Sequence, residues 1–245
     1  MMVRVWHVTP VHQECRVSAP VASGRDRLRD AFFADVGRLT LGTVRGERWR
    51  LRLGPLTLLA FAEPVYDGWA WAWPITGGLL ARRPGGTLRY GWRDGQLVAS
   101  VDGYEPRLPA LLYRLTQVPV HRLLTRRFLL HLRGRTPAPA PPAGPAQRLL
   151  TATLDLALCA GVTAVVTRRR RLRTFAAVAA GYHLACWTLG GRTLGGALTG
   201  QRLVSVDGSA VAPWQALVRL GALPSALLTL RAVHDEEAGT EVVEA

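Results

Sequence analysis

Lysine is absent from this chain: all 31 basic residues are arginines, set against 17 acidic ones for a formal net charge of +14. Such complete replacement of one cation by the other reads as the codon bias of a GC-rich genome, not as selection for phosphate contacts. Cysteine is scarce as well. Cys15, Cys159 and Cys186 are the only three, which excludes a disulfide framework, and no Cys-x-x-Cys spacing is present to hold a metal. They read as small buried thiols. The N-terminus, Met-Met-Val-Arg-Val-Trp-His-Val-Thr-Pro, lacks an apolar core followed by a cleavage site, so no secretory signal is expected and the first domain is placed in the cytoplasm.

Chemistry-bearing motifs are missing too. The histidines at 7, 12, 121, 131, 183 and 234 are not at zinc-ligand spacing, no nucleophile elbow occurs, and Cys15 has no local catalytic context. Gly77-Gly78 and Gly85-Gly86 are unlike a phosphate loop, since no Lys-Ser/Thr follows them. No enzyme, cofactor or metal is therefore expected. The basic balance has two physical readings, a nucleic-acid footprint or segments held against an anionic bilayer. No zinc-finger, helix-turn-helix or aromatic RNA-binding pattern accompanies the charge, so nucleic acid is not the expected partner.

What is present is apolar. A hydrophobic fraction of 49% over 245 residues fits two modest domains, one of them associated with a membrane. Five of the eleven residues from Thr136 to Ala146 are proline, which prevents a helix or central strand and favours an extended spacer. Residues 136–147 are accordingly read as a linker between a soluble domain, 1–135, and a membrane domain, 148–245.

In the first domain, residues 48–53 alternate Arg48, Arg50 and Arg52 with Trp49, Leu51 and Leu53. This period of two predicts a half-buried strand. The same alternation recurs in Leu39/Leu41, Leu56/Leu58/Ala60, Trp69/Trp71/Trp73/Ile75, Leu88/Tyr90/Trp92 and Leu97/Ala99/Val101, with a hairpin turn at Arg93-Asp94-Gly95-Gln96. A short helix is expected from Asp26 to Val36. After Pro109 the spacing becomes helical, through Leu111, Leu112, Leu115, Leu123, Leu124, Phe128 and Leu132, with a break or kink near Pro119. The predicted fold class is α+β, an antiparallel β meander with a covering helix. Its order resembles the helix-grip fold of START and polyketide-cyclase-like proteins, which implies an apolar cavity between sheet and helix. Trp69, Trp71 and Trp73 read first as core, and second as the wall of a pocket for a small apolar ligand.

In the second domain two apolar stretches, 149–167 and 174–191, each suffice to cross or nearly cross a hydrocarbon core of about 30 Å. A third, 215–233, contains Arg219, Pro224 and Arg231. It reads either as a tilted span with snorkelling arginines or as an interfacial helix. Arg148 precedes Asp155 by seven residues, which puts both side chains on one face roughly 10 Å apart along the axis. A carboxylate at membrane depth costs on the order of 2.5–3.5 kcal/mol, so Asp155 should face inward and find a partner. If the two stretches form a hairpin turning at 168–173, His183 and Cys186 lie level with it. A histidine there either carries a proton or merely hydrogen-bonds a neighbour.

The run Gly-Gly-Arg-Thr-Leu-Gly-Gly-Ala-Leu-Thr-Gly-Gln-Arg-Leu-Val-Ser-Val-Asp-Gly, 190–208, follows the second stretch. The tail has a His-Asp followed by Ala-Gly-Thr and two valines. With Arg148 and Asp155 these blocks resemble the RDD family over about 148–243. The resemblance implies a multi-pass cell-membrane protein with a membrane arginine, a first aspartate at Asp155 and a second at Asp207 or Asp235. It also implies transport of ions or small solutes, which two or three helices could enclose only as a homo-oligomer. The alternatives are a binding module for an apolar or lipid-like ligand anchored in the lipid bilayer, or a tethered regulator that recruits a protein. Charge counting does not set the orientation: five arginines in the 168–173 loop are balanced by Arg133, Arg135, Arg148, Arg192 and Arg202.

Overall fold

The computed structural model describes residues 11–40, 42–167, 171–229 and 232–245. The chain divides into two units, Met1–Arg133 and Gly134–Ala245.

The first unit is an antiparallel sheet with helices. Its elements are β1 (Val11–Ser18), α1 (Arg25–Leu39), β2 (Arg45–Glu47), β3 (Arg50–Leu53), β4 (Leu56–Phe61), β5 (Val65–Tyr66), β6 (Ala70–Gly77), β7 (Thr87–Arg93), β8 (Gln96–Tyr104), α2 (Ala110–Leu112) and α3 (Val118–Arg133). The strand order is β1-β8-β7-β6-β4-β3-β2, with β5 pairing β6 beside the main path. The chain thus meanders from β2 to β8, and β1 closes beside the last strand, Val17 opposite Leu97.

The turn between β7 and β8 is the one expected. Asp94 and Gly95 have φ of 52° and 72°, the left-handed pair that matches strand twist in a two-residue hairpin. The strand expected over 48–53 is shorter. Arg48 and Trp49 form the β2–β3 turn, also with positive φ. Trp49 accepts this backbone because its ring packs on Phe33 at 5.1 Å and its carbonyl bonds the Phe61 amide. The expected strand at Leu39/Leu41 is not formed at Leu39, which ends α1; Leu41 lies outside the described residues. Near Pro119 the helix does not break. A π-helical turn, Tyr113–Gln117, joins α2 to α3 immediately upstream of the proline, and a wider turn relieves the clash of its ring with the preceding carbonyls.

The core of this unit is aromatic. Phe128 of α3 meets Phe32 of α1 at 5.4 Å and Tyr90 of β7 at 5.1 Å; Trp73 of β6 meets Tyr90 and Phe33. Phe128 and Trp73 are fully buried.

The second unit contains α4 (Pro145–Val166), α5 (Arg171–Leu189), α6 (Leu194–Leu198), β9 (Gln201–Ser205), α7 (Pro213–Thr229), α8 (Val233–Ala238) and β10 (Thr240–Glu244). It is mainly helical, but β9 and β10 form an antiparallel pair, Leu203 opposite Val242, that was not foreseen. The proline-rich segment is not a spacer throughout. Pro142 bridges Val243, the Ala143 amide donates to Val242 O and the Glu244 amide to Pro141 O, so 141–143 extends the small sheet. Helix α4 then starts at Pro145, earlier than expected, with the proline in the first turn where its missing N–H is no loss. Helix α7 runs on through Pro224.

Phe128→Ala is expected to lower the stability of the first unit by about 3–5 kcal/mol, because it empties the point where α1, α3 and β7 meet. Urea unfolding followed by tryptophan fluorescence measures this.

Candidate functional site

Large residues of α3 stop one turn short of filling the first unit. From Phe128 to Leu132 the inner face is packed, whereas His121, Leu124 and Thr125 face a space lined on β8 by Ala99 and Val101. The space left between them is a cavity of about 240 Å³. Leu51, Leu58, Leu88 and Tyr90 of the sheet and Phe32 and Val36 of α1 complete it, so the walls are overwhelmingly apolar. A void of this size is well beyond the packing defects of an ordinary core.

Apart from Glu14 and Arg122, the polar groups at the cavity are uncharged side chains. Gln13 donates through Nε2 to the Tyr113 hydroxyl at 3.0 Å, Tyr113 stacks edge-on with His121, and the Tyr104 hydroxyl donates to Leu80 O at 2.6 Å. Burial pulls the His121 imidazole below its ordinary pKa, and burial pushes Tyr104 and Tyr113 up. All three are therefore neutral at neutral pH.

The tryptophan ladder is not the wall of this cavity; none of Trp69, Trp71 or Trp73 lines it. Trp73 is core, against Phe33, Trp49 and Tyr90. Trp71 pins α1 from outside, its indole donating to Arg25 O at 2.8 Å beneath the Arg29 guanidinium. Trp69 covers Gly91, where any Cβ would lie 2.6 Å from its ring. A feature built from small residues opposite a helix leaves no periodic signal. The resemblance to helix-grip proteins, and no spacing, was what pointed to a cavity.

In the second unit α4 is inverted. Its buried residues are Asp155, Cys159 and Thr163, at four-residue spacing, while Leu149, Leu150, Leu156, Val165 and Val166 point outward. Gln147 and Thr151 extend the same inner stripe toward the N-terminus: Gln147 donates to Thr199 O, and the Thr151 and Thr199 hydroxyls lie 2.6 Å apart. Asp155 Oδ1 accepts from the Tyr182 hydroxyl at 2.7 Å and from the Gly195 amide at 2.9 Å, and Tyr182 in turn accepts from the Leu194 amide. A side chain at 195 would collide with Thr151 O and Asp155 Oδ1, so only glycine lets the 190–208 stretch reach the carboxylate. His183 is adjacent, with Nε2 4.0 Å from Asp155 Oδ2. Its Nδ1 lies 2.8 Å from Ala179 O. With Nδ1 donating, Nε2 of the neutral ring has no proton to give. Tyr182, one residue earlier and longer in reach, is the partner that sequence reasoning missed.

Arg148 does not meet Asp155. It turns to the other end of the unit, bonding Asp235 and Glu241 at 3.3 Å each, Val242 O at 3.1 Å and Ala143 O at 3.0 Å. Asp235 is wholly buried, and its other oxygen is in a close ion pair with Arg219 and accepts from the Thr240 hydroxyl. Arg219 therefore points inward, over the Trp187 ring, and does not snorkel. Arg135 grips Glu241 through two bonds of 2.8 and 2.7 Å. Of the two candidates for a second aspartate, it is Asp235 that joins Arg148. Asp207 accepts from the Ser209 hydroxyl at 2.6 Å and amide at 3.2 Å, which closes the turn after β9. Arg168, Arg169 and Arg170 of the expected hairpin loop, and Arg231, lie outside the described residues.

His234 sits beside this cluster, Nε2 3.8 Å from Asp235 Oδ2. Burial first, then Arg219, Arg148 and Arg135, pull its pKa from 6.5 down to about 4. The nearby carboxylate does not reverse this, because two guanidinium groups already hold it.

Compared with protein-family models, with curated proteins and with solved structures, the chain matches none.

Asp235→Asn should cost about 3–5 kcal/mol, since it leaves two arginines in one buried cluster without their shared counter-ion. Asp207→Asn, which only weakens a turn, should cost under about 1 kcal/mol. Chemical denaturation of the two variants side by side gives the comparison. A pH dependence follows from His234 as well. The unfolded chain takes up its proton as pH falls from 6.5 toward 4 and the folded chain resists it, so stability declines across that window. The decline should be shallower in His234→Gln, measured by denaturation at stepped pH.

Proposed function

We propose that the first unit binds an apolar or lipid-like molecule and that the second unit fixes it to a lipid bilayer. The observation that carries the first half is the cavity: overwhelmingly apolar walls, with Glu14 and Arg122 as the charged residues of the lining, and a volume of about 240 Å³ between sheet and helix. Water gains little in such a space, whereas an acyl or other hydrocarbon group leaves water at a gain of roughly 0.8 kcal/mol per buried methylene. The helix-grip resemblance of the sequence agrees with this reading.

Support for the second half comes from α4. Among the described residues it is the one helix long and apolar enough to cross a membrane. Its polar stripe faces its neighbours and its leucines and valines face out, the reverse of a helix that packs against a core in water. The RDD resemblance supports extending this reading to a multi-pass topology through 149–167 and 174–191.

Transport centred on Asp155 has less behind it. The carboxylate is already bonded by Tyr182 and Gly195 and holds the glycine-rich stretch against α4. These contacts favour a packing role.

The test is titration of the purified full-length protein with a long-chain fluorescent fatty acid. Saturable binding is expected, and Ala99→Phe, which puts a ring into the cavity, should weaken it at least about tenfold, or 1.4 kcal/mol. Absence of saturable binding to the unaltered chain rules the reading out, as does full binding by the variant.

A further inference from the structure

The helix that roofs the cavity carries its leucines on the wrong side. From Ala110 to Leu124 the inward positions are Tyr113, His121 and Leu124, while Leu111 and Leu115 are 71% and 68% exposed and Leu112, Val120 and Leu123 are exposed as well. The expected helical spacing was therefore right, but the face it assigned to the core is largely the outer one. Five apolar side chains in thirteen residues form a patch of a kind that surfaces in water seldom keep without use.

Charge identifies what covers it. From Pro106 to Gly134 the sequence has six arginines and no acidic residue. Arg107, Arg114 and Arg122 are exposed among or beside the leucines, and none of the three has a carboxylate within ion-pair distance among the described residues. Leucines flanked by unneutralised guanidinium groups match the boundary between acyl chains and anionic headgroups. A protein partner of this chemistry would need acidic residues around an apolar ridge; a second copy of this chain would bring arginine against arginine.

Val120 and Arg122 connect this face to the interior. Both line the cavity and both are exposed, so the cavity opens through the patch. Resting on the ligand-binding reading above, we propose that the outer face of residues 111–123 docks on an anionic bilayer surface and that a lipid-like ligand passes between that surface and the cavity at Val120. The leucines would enter the acyl boundary, the arginines would sit at the phosphates, and the ligand would move without crossing water.

The experiment uses the full-length chain in vesicles, with Cys15, Cys159 and Cys186 replaced by alanine and an environment-sensitive fluorophore attached through Leu115→Cys or, as control, through Glu63→Cys on the β4–β5 connection. Quenching by spin-labelled lipid should be at least about twofold stronger for the Leu115 probe, should need anionic lipid, and should fall to the control level with Leu111→Asp/Leu112→Asp. Equal quenching at both positions, or quenching indifferent to anionic lipid, overturns the proposal; so does protection of the Leu115 probe by a chemically cross-linked second copy. Fatty-acid binding is measured on the same samples. Binding without selective quenching removes the docking surface and leaves the cavity reading intact, whereas selective quenching without binding removes the cavity reading and with it the transfer step.

Discussion

Everything in the second unit is tied to the charge of Asp235. Its carboxylate has no exposure to water, and it is held from one side by Arg148 of α4 and from the other by Arg219 of α7, with Thr240 of β10 completing the shell. An isolated carboxylate could not stay ionised there. Arg219 in turn is buried and has Asp235 as its ion-pair partner, whereas Arg148 is also bonded to Glu241. Helix α4, distant in sequence, and the flanking α7 and β10 are thereby fixed to α8, and the tail that carries Asp235 and Glu241 is locked against the start of α4. A second carboxylate, Asp155, performs a more local version of the same task with neutral donors, clamping the glycine-rich stretch to the middle of α4.

The two units solve opposite problems. In the first, aromatic rings fill one end of the space between sheet and helix, and small residues leave the other end vacant. In the second, α4 turns a polar stripe inward and its aliphatic residues outward, beside an apolar cluster of Trp187, Leu203, Val211 and Ala216. Hydrophobic burial holds the first together. The second adds to its apolar cluster directional bonds whose strength grows as water is excluded.

Where one residue's neighbours are set by a simple period, the sequence was readable. Strands β6, β7 and β8, the Asp94-Gly95 turn and helix α1 all follow from alternation, turn chemistry and four-residue spacing. The level of Asp155 with the 183 region followed from counting residues in a hairpin. The failures share a cause, which is that they depend on long side chains or on space. Tyr182 outreaches His183. Arg219 folds inward although its position in an apolar run predicts an outward course. Trp49 leaves its strand because a turn needs the residue and Phe33 gives the ring a place. The cavity is defined by atoms that are missing, and no spacing encodes a gap. The pairing of 141–143 with β10 was hidden because proline at 142 speaks against a strand, although an edge position tolerates it.

The edges of the large sheet have a bearing on the chain's life before it is folded and in place. A sheet with a hollow on its inner face is less firmly closed than one with a solid core, and its outer strands offer free backbone groups to any similar strand nearby. Here one margin is β2, only three residues long and flanked by Arg45 and Glu47. The other is β1, where His12, Glu14 and Arg16 alternate along the strand, His12 contacting Asp102 and Arg16 pairing with Glu14. Neither margin offers a long apolar ribbon. Edge-to-edge stacking between copies is thereby discouraged, and the sheet can keep a cavity on its inner face without becoming a seed for fibrils.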